Sequence, residues 1–268
     1  MYARSVWWLY VAVLAATAVT YYRLAPGMTY HFEDTGLSGA VSRSVNYLNY
    51  PVAIAAIALV WSCCRGRWAV LATLLCAVAF VPGVVSQDDL EAGWANVPAA
   101  VGVCLAAWLS FTAWPGPPLR LSRMRMLALL LLAVWSIPWL IACIGLYAQD
   151  LGPLGDLIRS RQPTPGKPGL ASVHMGLHEG LFGSMLAATA LILSARRRST
   201  ALSLYMAVML VYGVMVSAQD GWNEQVVKRG WTSQGLPSVL TPKLSAAWAA
   251  LIAAALCVHL FWFRRARP

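Results

Sequence analysis

Apolar residues fall in eight runs of near membrane-spanning length, separated by short polar connections. A hydrocarbon core about 30 Å thick takes about 20 residues of helix. The runs near 5–22, 46–64, 68–86, 97–114, 126–148, 174–194, 201–218 and 244–263 therefore predict eight transmembrane helices. The connections alternate in character. Those at 65–67 (RGR), 115–125 (PGPPLRLSRMR) and 195–200 (ARRRST) are short and basic, whereas those near 23–45, 87–96, 149–173 and 219–243 carry the acids. This alternation predicts an all-α polytopic membrane protein. Four helical hairpins make one integral membrane domain over residues 1–268.

Composition agrees with burial in lipid. Hydrophobic residues make up 59% of the chain and charged residues 11%, less than half of the about 25% typical of soluble domains. Arg4, Arg65, Arg67, Arg120, Arg123, Arg125, Arg196, Arg197, Arg198, Arg264, Arg265 and Arg267 share one predicted side, which carries no acid. The opposite side holds all ten Asp and Glu residues. By the positive-inside rule the arginine side is cytoplasmic. Both termini then lie in the cytoplasm of a bacterial-type inner membrane. The net charge of +10 belongs to this sorting, so the expected partner is the bilayer, with anionic headgroups near the arginines, and not nucleic acid. Trp7, Trp8, Tyr21 and Tyr22 bracket the first run as interfacial anchors, so it is expected to be an uncleaved span.

The six cysteines avoid the acid-bearing loops and form no CxxC, so they are expected to be free packing residues. Gln87-Asp88, Gln149-Asp150 and Gln219-Asp220 end the third, fifth and seventh runs. They hint at an internal repeat, although helix ends leaving a bilayer need polar residues in any case. A kink is expected at Pro138, between Trp135 and Trp139. Pro153, Pro163, Pro165 and Pro168 make the third acid-bearing loop an extended cover or lid.

The sharpest chemical signal is Val173-His174-Met175-Gly176-Leu177-His178-Glu179-Gly180. On a helix, His174 and His178 share a face with Cβ atoms about 5–6 Å apart, a spacing that serves one metal ion. Gly176 and Gly180 fall on the opposite face and suit close helix packing. Glu179 lies about one turn inside the predicted boundary, where an ionisable group marks a functional site. It would act as general base if a metal-bound water were present. His31 is the best third ligand by type. This set suits copper, zinc or iron, and haem is a further option if a second helix supplies an axial ligand. The acid follows the second histidine, so this is not the HExxH motif of zinc proteases. The five residues His174–His178 resemble the HMxxH strings of membrane proteins that deliver copper to cytochrome oxidase; the further paired-histidine helices of such proteins are missing here. His259, near the arginine end, reads as a packing residue.

A second constellation is polar. Asn46, Asn49, Asn96, Gln87, Gln149 and Gln219, with the three aspartates that follow the glutamines, lie at one depth. They read as helix caps or as the lining of an outer vestibule. Walker A, dinucleotide and GxSxG motifs are missing, and no span carries a lysine or an arginine ladder. Three classes follow: an outer-face metal or haem protein, a small transporter or lipid-handling protein with a polar vestibule, and an accessory subunit docked on partner subunits.

Overall fold

The computed structural model describes residues 2–23, 36–81, 93–113, 120–143, 163–164, 167–171, 177–195, 199–227 and 230–264. Among these residues the chain is helical apart from one short two-stranded ribbon and a few connections. The helices are α1 (Tyr2–Arg23), α2 (Gly36–Cys63), α3 (Arg67–Phe80), α4 (Trp94–Thr112) and α5 (Arg123–Cys143). They continue with α6 (π turn Leu177–Leu181, then α-helix Phe182–Leu193), α7 (Thr200–Val227) and α8 (Ala246–Phe263). Six of them, α1, α2, α4, α5, α7 and α8, are long and apolar enough to cross a membrane; α3 and α6 are shorter. The protein is an integral membrane protein of multi-pass helical character. Strands β1 (Pro163–Thr164) and β2 (Lys167–Ala171) pair antiparallel, within the proline-rich loop for which extended backbone was expected.

Several boundaries differ from the apolar runs, each for a local reason. The α2 helix begins at Gly36, ten residues before the run near 46–64, because the polar stretch around Arg43 is itself helical. The α3 helix stops at Phe80 because Pro82 follows: the residue before a proline is pushed out of the α region, and Val81 is extended at φ −77°, ψ 114°. The α7 helix runs on to Val227 through a last π turn at Asn223–Val227, well past the predicted end at 218. Gln219-Asp220 therefore lies inside a helix rather than at its end.

The bundle is organised around α6. From Leu181 to Leu193 almost every residue of this helix is buried, in contact with α7, α5, α2 and α1. Burial separates the spans: 76% of the most apolar window of α2 lies inside the protein but only 17% of that of α5. Glycines set the closest helix contacts, as expected where backbones meet in a membrane. A Cβ on Gly183 would stand 2.6 Å from the Gly213 carbonyl oxygen and 2.9 Å from the Ser217 nitrogen. On Gly102 of α4 it would stand 2.7 Å from the Cys76 nitrogen of α3.

The arginines converge on helix C-termini, where free carbonyls and the helix dipole favour cations. Arg4, at the start of α1, donates to the carbonyls of Phe111 (2.7 Å) and Ala113 (3.0 Å) at the end of α4. Arg125, at the start of α5, donates to the Ser194 carbonyl after α6 (3.1 Å) and lies over the rings of Trp262 and Phe263 at the end of α8. Arg65 donates to the Cys64 and Trp61 carbonyls at the end of α2. Exposed Trp8, Trp68 and Trp108 lie toward this arginine end; Tyr22, Trp94 and Trp231 are exposed toward the other. Cys63, Cys64, Cys76, Cys104 and Cys257 are free thiols. At the edge of α2, burial, with Cys63 as the second cause, pushes the Cys64 thiol up to about 12, and its Sγ donates to the Leu109 carbonyl.

Between Gly230, at φ +75°, and Ser245, which caps α8 by accepting from the Trp248 amide, the chain is irregular. It returns into the bundle: Val239 and Leu240 are buried. The Leu240 carbonyl accepts from the hydroxyls of Tyr50 (2.6 Å) and Tyr212 (3.1 Å). Sequence patterning treats residues 219–243 as an outer loop. The correction is physical, since irregular backbone is tolerated at depth where protein donors satisfy it.

Gly183→Ala is expected to cost about 1–3 kcal/mol through overpacking against backbone that has no freedom to yield. Gly93→Ala, whose new Cβ would meet its nearest neighbour at 3.7 Å, is expected to stay within about 0.5 kcal/mol of the parent. Reversible unfolding in mixed micelles measures both.

Candidate functional site

The predicted histidine site is covered only in part. His31 and His174 lie outside the described residues, as do Gly176, Gln87, Gln149, Asp88 and Asp150. His178 belongs to the π turn Leu177–Leu181, but its side chain is outside the described part; Glu179, in the same turn, is half-buried. Among the described residues no three His, Cys, Asp or Glu side chains come together to hold a metal ion.

The polar cluster that the structure does show begins one residue later, at Gly180. The α5, α6 and α7 helices meet there. Asp220 of α7 is only 3% exposed, and its Oδ2 accepts the indole N–H of Trp139 at 2.7 Å. One turn earlier, Ser217 Oγ accepts the indole N–H of Trp135 at 2.8 Å. The Ser217 hydroxyl donates to the Gly180 carbonyl at 2.8 Å, and Ser184 Oγ lies 2.9 Å from Ser217 Oγ and 3.1 Å from that carbonyl. The two indoles, with centroids 5.5 Å apart, stand edge-on to α6 and α7. A Cβ at Gly180 would collide with both Trp139 Nε1 and Asp220 Oδ2, and one at Gly221 with the Trp135 ring. The expected packing role of Gly180 is therefore seen in a specific form: it leaves room for an indole–carboxylate bond across the helix.

The sequence pattern explains the local assembly. Gly213, Ser217, Asp220 and Glu224 recur at three- and four-residue spacing, so they form one stripe of α7. Gly180, Gly183, Ser184 and Ala187 make the facing stripe of α6. Small residues bring the backbones together and hydroxyls fill the gap they leave. Pro138 lies inside α5 between the two tryptophans. Having no N–H, it leaves the Val134 carbonyl without its usual helical partner, while the helix runs on to Cys143.

Glu224 is 6% exposed and sits in the π turn Asn223–Val227. Two buried carboxylates thus follow one another by four residues on α7. Of the four π turns among the described residues, three, at Leu48–Val52, Leu177–Leu181 and Asn223–Val227, fall toward this acid-bearing end and one, His259–Phe263, at the other; such turns often mark functional sites in helices. The first carries Asn49, which is fully buried. Its Nδ2 donates to the Val45 carbonyl at 2.9 Å, while its Oδ1 has no hydrogen-bond partner among the described residues. Asn96 fulfils the capping role, its Oδ1 accepting from the Gly93 amide at 2.8 Å. Gln219 Oε1 accepts weakly from the Val239 amide at 3.4 Å. Arg43 of α2 is buried over the ring of Tyr21, at 4.7 Å. At the opposite end His259 is buried with its Nδ1 3.1 Å from Ser203 Oγ, consistent with a packing residue.

Sequence reasoning named Asp220 as a helix cap or vestibule residue and Trp135 and Trp139 as neighbours of a kink, but it did not join them, and it passed over Glu224, Ser217 and Ser184. Reading acids by their distance from an apolar run placed Asp220 outside the helix. The signal that finds them is the Gly-Ser-Asp-Glu stripe of α7 continued past the end of the apolar run. The chain matches no protein-family model, no curated protein and no solved structure.

A double-mutant cycle of Trp135→Phe and Ser217→Ala tests the cluster. Removing the Ser217 acceptor takes the partner from the indole of Trp135, a residue 44% exposed, so the cost is that of an ordinary hydrogen bond, about 0.5–1.5 kcal/mol. The coupling energy is expected near 1 kcal/mol, and additive effects would show that the bond is not formed in the membrane.

Proposed function

We propose that this chain is a small transporter of the bacterial-type inner membrane, taking up a cationic or proton-donating solute at its acid-bearing, extracytoplasmic end. The observation that carries this reading is the Asp220 carboxylate, buried within a membrane helix and held by an indole. An ionisable group so placed is costly and marks a substrate or ion pathway.

In this reading all eight helices cross the membrane as four hairpins with both termini cytoplasmic. The arginine contacts support it: the starts of α1 and α5 meet the ends of α4, α6 and α8 at one end of the bundle. The short α6 needs no lipid-length apolar surface, because neighbouring helices shield it. Of the amides, Asn96 acts as a cap, and the buried Asn49 favours the vestibule side of the earlier alternatives. Reconstitution in liposomes under an imposed potential tests the reading, with pH- and cation-sensitive dyes inside. Flux is expected in the parent and to fall at least about tenfold in Asp220→Asn, the loss of a transition-state or binding interaction worth about 1.4 kcal/mol or more. Equal flux in the two proteins would overturn it.

A second reading, a metal or haem site built from His174, His178 and His31 with Glu179 as base, is favoured by one observation. The π turn that carries His178 and Glu179 leads directly into Gly180. It predicts stoichiometric copper, zinc, iron or haem in protein purified under replete conditions, lost in His178→Ala. Metal analysis and a visible spectrum decide this.

A further inference from the structure

We infer that the Trp139–Asp220 hydrogen bond is a proton-sensitive latch that seats the acid-end half of α5 on the bundle. The inference rests on the transport reading and names its coupling ion as the proton. It starts from how little of α5 is buried. The helix is the least buried of the six long spans, with Leu130, Leu131, Val134, Ile137 and Leu140 exposed and Trp139 buried. Its arginine end is anchored by Arg125 on the Ser194 carbonyl. Its other half follows Pro138, where the helical hydrogen-bond ladder is interrupted. The described hydrogen bonds from this region to the neighbouring helices are the two indole bonds, Trp135 to Ser217 and Trp139 to Asp220. Only the second has an acceptor whose charge can change.

A hydrogen bond to an ionised acceptor is roughly twice as strong as one between neutral groups. When a proton binds a carboxylate oxygen of Asp220, the indole keeps its own hydrogen and its acceptor loses the charge. The bond then weakens, and the residues after Pro138 are released from Gly180. A Cβ on Gly180 would meet both partners, so the bond lies directly against the α6 backbone and the change is felt at the α5–α6–α7 junction. The carboxylates described on the packed elements near this junction are Glu224 on α7 and Glu179 on the π turn of α6. The described side chains in the acid-end half of α5 carry no charge, since Arg123 and Arg125 lie at the far end.

The test uses the full-length protein in nanodiscs with 5-fluorotryptophan incorporated. The Trp139 fluorine signal is assigned by its loss in Trp139→Phe. It is expected to shift with pH in the parent and to stay at the parent's acid-limit position in Asp220→Asn. A signal that is invariant with pH while the protein remains folded overturns the latch. A shift that persists in Asp220→Asn also overturns it and moves the titration to Glu179, Glu224 or His178. A second measurement holds if Asp220→Asn does not fold. Ser136 is buried on α5; as Ser136→Cys in a background without the native cysteines, it is expected to label with a maleimide several-fold faster when Trp139→Phe is added at neutral pH. Equal labelling rates overturn the proposal. Loss of flux in Asp220→Asn beside an invariant Trp139 signal removes the latch and keeps the transport reading; a titrating signal without flux does the reverse.

Discussion

The near-contact of the α6 and α7 backbones at Gly183 and Gly213 is the constraint on which the acid-bearing end depends. With no side chains there, the helices come close enough for Ser184 and Ser217 to share one carbonyl, that of Gly180. The same approach brings Asp220 across Gly180 to the Trp139 indole. A larger residue at either glycine would separate the stripes and leave several buried polar groups unpaired, at about 1–3 kcal/mol each. The polar cluster and the packing seam are one feature, since the glycines that close the seam also create the space the hydroxyls occupy.

The two ends of the bundle solve the same problem in opposite ways. At the arginine end, cations reach from one helix to the terminal carbonyls of another, at the edge where water and headgroups are near. At the acid-bearing end, the carboxylate of Asp220 is drawn into the bundle and accepts from the neutral indole of Trp139. The first arrangement is what sorting of positive charge produces for free. The second costs desolvation, and nothing about membrane insertion demands it.

Membrane class, helical character and the grouping of arginines were legible in the sequence, because apolar run length and charge placement are set by the bilayer itself; of the eight runs read as spans, six form helices long and apolar enough to cross. Gly180 as a packing glycine and Pro138 as an interruption between two tryptophans were legible too, as local backbone chemistry. The depth of Asp220 was not. An acid after an apolar run reads as a cap, and the bond from Trp139 on the neighbouring helix that offsets its burial is a tertiary contact. The buried return at Val239 and Leu240 was hidden for the same reason: the tyrosines that satisfy it lie 190 and 28 residues away from Leu240. The histidine pattern His174–His178 made Glu179 the obvious acid, whereas the most deeply buried described carboxylates are on α7.

The shared Leu240 carbonyl has a consequence for assembly. Its two donors, Tyr50 and Tyr212, stand on α2 and α7 and also pack edge-to-face at 6.2 Å. The acceptor lies on the stretch leading into α8. Helices inserted one after another meet only as the bundle condenses, so this carbonyl finds both hydroxyls only after α2 and α7 are already side by side. A segment synthesised after both helices thereby closes a contact between the second helix and the seventh. Its seating marks that these two helices have met.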